Sequence, residues 1–204
     1  VVMTTQPYLL VIEPALPVKS VKELIAYSKT KPLTYGTSGI GTTVHLGMER
    51  LAALSGAQFA HVPYKGTAPA LVGLMSGEIN MVPASAISGT AAVKTGKVRA
   101  LAAMGTKRLA AAPEIPTVEE AGFPGFKIIN SYNLFAPAGT PRPIINTINR
   151  IVSEGMNTPA MVQKLAAEGS EPGERLTPEE FKAQFARDYE EMEKQVRNTK
   201  LNLN

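Results

Sequence analysis

Cysteine is absent from the chain, which excludes disulfides, thiolate metal sites and cysteine nucleophiles. Such usage fits an oxidising compartment, where stray thiols are a liability. Tryptophan is absent too, and aromatic residues make up only 6%. The core must therefore be built mainly from Ala, Val, Leu, Ile and Met, which suits helices layered on a sheet. His45 and His61 are the only histidines, and neither has further ligands at metal-binding spacing. No metal and no cofactor is expected. No apolar run reaches the ~18 residues of a membrane-spanning helix, and no signal peptide is recognised. The opening Val1-Val2-Met3-Thr4-Thr5 reads like the middle of a strand, as expected of a fragment. The net charge is +4, but Lys and Arg are spread along the chain without a basic block. This speaks against nucleic acid and leaves a mildly basic surface that favours anionic solutes at long range.

What is present is a β-α-β-α rhythm. Residues 1–13 read as two extended pieces broken near Gln6-Pro7, and Tyr8-Leu9-Leu10-Val11-Ile12 has the continuous apolarity of a buried strand. Ser20-Val21-Lys22-Glu23 is a capping box for a helix to about residue 28. Strands are expected at 33–36, 59–63, 79–82 and 97–104. Helices are expected after Gly41, with Val44, Met48, Leu51 and Leu54 on a common side, and at about 68–75 and 85–93. A mostly parallel sheet with helices on both faces is the expected product. Residues 105–126 carry Pro113, Pro116 and Pro124 and read as an irregular connection. A long strand follows at 128–136, then helices at 142–155 and 159–167, the first with Pro141 in its opening turn. The last helix is capped by Thr177. Phe181, Phe185, Tyr189, Met192 and Val196 make an apolar stripe on it, expected to pack on a core.

The most informative segment is Tyr35-Gly36-Thr37-Ser38-Gly39-Ile40-Gly41-Thr42-Thr43, between a strand and a helix start. Glycines allow a tight turn that presents N–H groups, and a helix start adds unpaired donors and partial positive charge. Thr37, Ser38, Thr42 and Thr43 add hydroxyls, completing an anion cradle without formal charge. A nucleotide phosphate loop is disfavoured because Thr42 stands where its lysine belongs. A dinucleotide fingerprint is disfavoured because Val44 stands at its third glycine. His45 is read as orienting the loop or packing, and His61 as ending a strand with a satisfied ring. Lys65 can attract an anion or simply occupy a solvent turn. Ser85 can donate to the same ligand or only cap a helix. Tyr132 and Asn133 can face a cleft or an edge. No G-x-S-x-G elbow accompanies Ser38.

Taken in order, these segments resemble the Bug family, the receptors of tripartite tricarboxylate transporters. The resemblance rests on the stretch from Tyr35 to Thr42 with His45-Leu46, and on His61-Val62-Pro63-Tyr64-Lys65-Gly66. It rests further on Pro113-Glu114-Ile115-Pro116-Thr117 with Glu120-Ala121-Gly122-Phe123-Pro124-Gly125, and on Leu134-Phe135-Ala136-Pro137-Ala138-Gly139-Thr140-Pro141. It implies a type II periplasmic-binding-protein-like α/β fold, with the second lobe complete and the first partial. The implied division is a crossover region at 1–13, a ligand-binding lobe at 14–104, a connection and return strand at 105–136, and C-terminal helices of the first lobe at 137–204. The implied function is a periplasmic, non-enzymatic receptor that passes a small organic carboxylate to the membrane subunits of a secondary transporter. Thr37, Ser38, Gly39, Gly41, Thr42, Ser85 and Tyr132 are the implied ligand contacts, with Thr43 from the cradle. The family's Pro-Gly-Gly-rich first-lobe loop has no counterpart here. No aspartate occurs in Met81-Val82-Pro83-Ala84, which disfavours ligands whose amino group needs a carboxylate partner. An incomplete first lobe predicts dimerisation, domain swapping or a complex with the missing piece. The alternatives are the cytoplasmic effector domain of a LysR-type regulator and an α/β hydrolase using Ser38 and His45.

Overall fold

The apolar run ending at Ile12 belongs to a strand longer than its pattern suggests. In the computed structural model, which describes residues 1–110, 112–167 and 169–198, β1 (Val2–Ile12) is one strand of 11 residues. It is not two pieces parted at Gln6-Pro7. The proline is accommodated because β1 changes partners there. Val2 to Pro7 pair with β6 (Ile129–Asn133), and Thr4 and Thr5 also pair with β7 (Glu171–Pro172), a strand the sequence does not announce. Tyr8 to Ile12 pair with β4 (Met81–Ser85), and Leu9 to Ile12 with β5 (Arg99–Ala103). A residue without an N–H is tolerated where one ladder gives way to another.

The main sheet has the order β3-β2-β4-β1-β5, with β2 at Leu33–Thr37 and β3 at Phe59–Pro63. β2 runs parallel to β3 and β4, while β4 and β5 both run antiparallel to β1. Four strands therefore point one way and β1 alone runs against them, the mostly parallel arrangement that was expected. Leu10 and Ile12 join a core with Leu24 and Ile25 of α1 (Val21–Thr30) and Met48 and Leu51 of α2 (Thr43–Ser55). Leu9 and Val11 join a second core with Leu71 and Leu74 of α3 (Thr67–Met75) and Ala92 of α4 (Ala86–Lys94). Successive strand residues point to opposite faces, so a strand covered on both sides must be apolar throughout. Each fully buried Leu or Ile contributes roughly 1.5–3 kcal/mol. Leu54, expected inside, is 60% exposed. Ten residues beyond Val44, a helix of 3.6 residues per turn has rotated it off the stripe.

The proline-rich connection is irregular but pinned. Arg108 Nε donates to both carboxylate oxygens of Glu120, at 3.1 and 3.0 Å, and Arg108 Nη1 donates to the Pro113 carbonyl at 3.0 Å. Glu120 Oε2 also accepts from the Thr117 N–H at 2.7 Å. Hydrogen bonds from Arg108, then from the Thr117 backbone, hold the Glu120 carboxyl below its ordinary range. The remaining helices are α5 (Arg142–Met156), α6 (Pro159–Ala167) and α7 (Pro178–Asn198). Pro141 precedes the first turn of α5 rather than lying in it. Thr177 and Glu180 cap α7 reciprocally. On the α7 stripe Phe181 is buried, but Phe185 is 44% and Tyr189 63% exposed. The described residues therefore cover only the start of the face expected to pack on a core.

Asn80 ties together the sheet edge opposite the candidate site. Its Oδ1 accepts from Thr34 N at 2.8 Å and Thr34 Oγ1 at 3.1 Å, and its Nδ2 donates to Glu13 Oε1 at 2.5 Å. Asn80→Ala is expected to lower the unfolding free energy by about 2 kcal/mol. The expected reading is a lower urea midpoint at constant slope, and an unchanged midpoint would show that this edge is held otherwise.

Candidate functional site

Like-directed strands deliver their carboxyl ends, and the helices that follow them, to one edge of a sheet. Here α2, α3 and α4 start directly after β2, β3 and β4, behind Thr42, Gly66 and Ser85. The register Tyr35 with Met81 brings the loop after Thr37 beside Ser85, and Ser85 lies opposite Tyr8 of β1. Segments far apart in sequence thus meet at one edge. Tyr132 comes from β6, opposite Thr4. Thr4 and Tyr8 share a face of β1, so Tyr132 looks onto the same edge from the other half of the strand. Burial first, and then Tyr132, push the Tyr8 phenol above its ordinary range. Tyr8 escaped the sequence reading because it opens an apolar run, and only its pairing with Ser85 brings it to the edge.

Gly39 (φ 143°) and Gly41 (φ 74°) hold backbone conformations that side chains disfavour. Thr37 is buried at 1% exposure. Its Oγ1 accepts from the Gly39 N–H at 3.2 Å, while Thr42 Oγ1 donates to the Gly39 carbonyl at 2.8 Å. The Gly41 N–H donates to His45 Nδ1 at 3.0 Å. The N–H groups of both glycines are thus engaged within the protein, and what these residues supply is the path of the loop. The donors left over lie in the loop, at Ser38, Ile40 and Thr42, and in the first turn of α2. Among the described residues the N–H groups of Thr43 and Val44 have no intramolecular acceptor, as helix geometry requires. Ser38 is exposed, and Thr42 and Thr43 are half-buried. Ser85 Oγ accepts weakly from Ser88 N at 3.4 Å and lies 2.7 Å from Ser88 Oγ, so it caps α4 while standing at the edge. Lys65, in the loop after β3, is exposed.

Beneath the loop lies a polar layer. The rings of His45 and His61 stack with centroids 3.7 Å apart and planes 16° from parallel. His61 Nε2 lies 2.6 Å from Thr37 Oγ1. Tyr35, fully buried, donates to Glu49 Oε1 at 2.5 Å, and His45 Nε2 faces the same oxygen at 4.0 Å. Burial, then the proximity of His45, lower the His61 pKa to about 4. Burial also lowers that of His45, with Glu49 opposing. Among the described residues no hydrogen bond joins Ser38 to a histidine, and His45 Nδ1 already accepts from Gly41, so the hydrolytic pair of Ser38 and His45 is not assembled. Nor is any group of three potential metal ligands gathered among those residues. A groove of about 360 Å³ between α2, β6 and α7 meets the cradle only at Thr43. No helix among the described residues is long and apolar enough to cross a membrane.

Residues 1–201 match the family described as the tripartite tricarboxylate transporter family receptor. The chain is 36% identical over 189 residues to the UPF0065 protein in the gbd 5'region of Cupriavidus necator, covering 92% of this chain and 57% of that protein. It is 34% identical over 172 residues to protein BugT of Bordetella pertussis, covering 81% and 52%. It therefore spans a little over half the length of these relatives. Among solved structures, R. palustris Rpa4515 with adipate superposes with a TM-score of 0.86 at 31% identity, over 98% of this chain and 67% of that one. MatC from Rhodopseudomonas palustris with bound malate gives 0.79 at 28%, over 96% and 68%. The periplasmic binding protein BugD gives 0.81 at 26%, over 97% and 67%.

The two histidines give the site a signed pH dependence. Their folded pKa values lie below the ordinary 6.5, so the unfolded chain binds more protons in that range. The stability they contribute is complete above about pH 6.5 and is lost as pH falls toward about 4. The midpoint of thermal unfolding should therefore drop between pH 7 and 4, and the drop should shrink in His61→Gln. An equal drop in both proteins would place the sensitivity elsewhere.

Proposed function

This chain belongs to the tripartite tricarboxylate transporter receptor family, and from that premise we propose that it captures a small organic mono- or dicarboxylate outside the cytoplasmic membrane without performing chemistry on it. The observation that carries the reading is the convergence of three helix starts, those of α2, α3 and α4, on one sheet edge. Helix starts present N–H donors and partial positive charge to an anion. The N–H groups of Thr43 and Val44, with the hydroxyls of Ser38, Thr42, Thr43 and Ser85, would hold one carboxylate. Thr37, Gly39 and Gly41 would shape the loop, and Tyr8 and Tyr132 would flank the ligand. Adipate in one solved relative and malate in another support the ligand class.

In this proposal residues 14–104 form the ligand-binding lobe, β1 and β6 are the crossovers, and residues 137–204 contribute to the other lobe. Closure of the lobes around the solute would create the surface read by the membrane subunits of the transporter. The exposed aromatic face of α7, with Phe185 against Phe135 and Tyr189 one turn further along, supports association of a second copy through this helix.

A thermal-shift screen tests the ligand class, using adipate, malate, citrate, acetate and amino acids against neutral amides of matched size. A carboxylate at ~100 times its dissociation constant should add roughly 2.7 kcal/mol of stability. The shift should shrink in Ser38→Ala combined with Thr42→Ala. No shift with any carboxylate would defeat the reading. Light scattering tests the association. The chain alone is expected to self-associate, and Phe185→Glu with Tyr189→Glu should return it to a monomer. A monomeric parent chain would end that part of the proposal.

A further inference from the structure

Of the polar groups near the edge, the stacked pair of buried His45 and half-buried His61 is the one that ligand capture does not itself require. The N–H of Gly41 lies at the turn where the loop enters α2, and its one acceptor is His45 Nδ1, at 3.0 Å. An acceptor nitrogen must carry no proton, so the neutral ring holds its hydrogen on Nε2, toward Glu49. Protonating His45 puts a second donor at Nδ1, facing the Gly41 N–H, and the bond is lost. The contact of His61 with Thr37 behaves differently. A hydroxyl can donate or accept, so the 2.6 Å contact between Thr37 Oγ1 and His61 Nε2 survives either charge state. What His61 supplies is a ring against His45 at 3.7 Å, which fixes the imidazole plane and sets any charge on one ring against the other. The titratable groups that meet the two rings are Tyr35 from β2, Glu49 from α2 and each ring for the other. Tyr35 already donates to Glu49, so that carboxylate is shared. From α7, Glu191 faces Arg50 at 3.9 Å.

We infer that His45 is a positioning residue for the anion loop, holding the Gly41 turn through its unprotonated Nδ1, so that the loop keeps its binding shape at neutral pH and relaxes when His45 is protonated. The inference rests on the carboxylate-binding reading for its consequence, but the hydrogen bond it invokes is testable without a ligand. Burial, which disfavours the charged ring, places the change on the acid side of neutrality.

Asparagine separates this role from simple packing, because its side-chain oxygen can stand where Nδ1 stands and cannot be protonated in this range. The first reading is hydrogen exchange at the Gly41 amide in the whole chain. Protection should be high at pH 7.5 and fall at pH 5.0 in the parent, be lost at both in His45→Ala, and be restored at both in His45→Asn. The second reading is the affinity for adipate by calorimetry. His45→Ala should weaken it roughly tenfold, and His45→Asn should recover it to within about threefold. Between pH 7.5 and 5.0 the parent should lose more affinity than His45→Asn, whose loss reports protonation of adipate and of His61. Equal pH profiles in the parent and His45→Asn, or a Gly41 amide as protected in His45→Ala as in the parent, would overturn the inference. If His45→Ala does not fold, the comparison of the parent with His45→Asn decides it. If the parent binds neither adipate nor malate, the receptor reading fails, and Gly41 protection still decides the role of His45.

Discussion

The rest of the structure depends on β1 being shared. One strand of 11 residues serves four partners, β6 and β7 along its first half and β4 and β5 along its second. Because a strand is pleated, the same five residues, Tyr8 to Ile12, must supply both faces of the sheet, and Leu9 through Ile12 are all buried. Running β1 against its four like-directed companions has a further consequence. The residue at which β1 enters the main sheet, Tyr8, lies at the edge where the others end. The strand that builds the core thus also brings a phenol to the candidate site, and it ties that site to β6 and Tyr132.

The chemistry at that edge is electrostatic, with uncharged donors at the start of α2 and Lys65 in the loop that leads into α3. Three helix starts face it, and Ser38, Thr42, Thr43 and Ser85 bring hydroxyls to it. Such donors are fixed by the backbone, so they need little reorganisation to meet an anion. The two histidines below favour their neutral forms for a related reason. His45 and His61 are too close and too buried to carry charge together, and their neutral forms supply the contacts to Gly41 and Thr37. Loop shape, histidine protonation and lobe stability are therefore one coupled system rather than three separate properties.

Much of this was legible in the residues. Glycine-rich turns, capping serines and threonines, and apolar runs marked nearly every helix and strand of the main lobe, because these signals are local. The glycine-rich loop before α2 was legible for the same reason, and His45 was read as orienting that loop or packing. Other features were not. The break expected at Gln6-Pro7 did not occur, since whether a proline ends a strand depends on which partners flank it. β7 was missed because two residues carry no periodicity. Leu54 was misplaced because two successive three-residue steps fall behind a helix that turns every 3.6 residues. The stripe on α7 was read correctly as apolar, but apolarity does not say what covers it.

The sequence by itself determined the chemical character of this protein: a cysteine-free α/β chain, a hydroxyl-rich loop entering a helix, and no run of basic residues. Those properties follow from residue type and short spacing, which the chain carries wherever it folds. Only the tertiary structure decided which donors remain free. The N–H groups of Gly39 and Gly41 are held by Thr37 and His45, whereas those of Thr43 and Val44 are not. It also decided that Tyr8, Ser85 and the loop after Thr37 share one edge. Pairing register and ring stacking join residues tens of positions apart, and no local pattern encodes a distance between them.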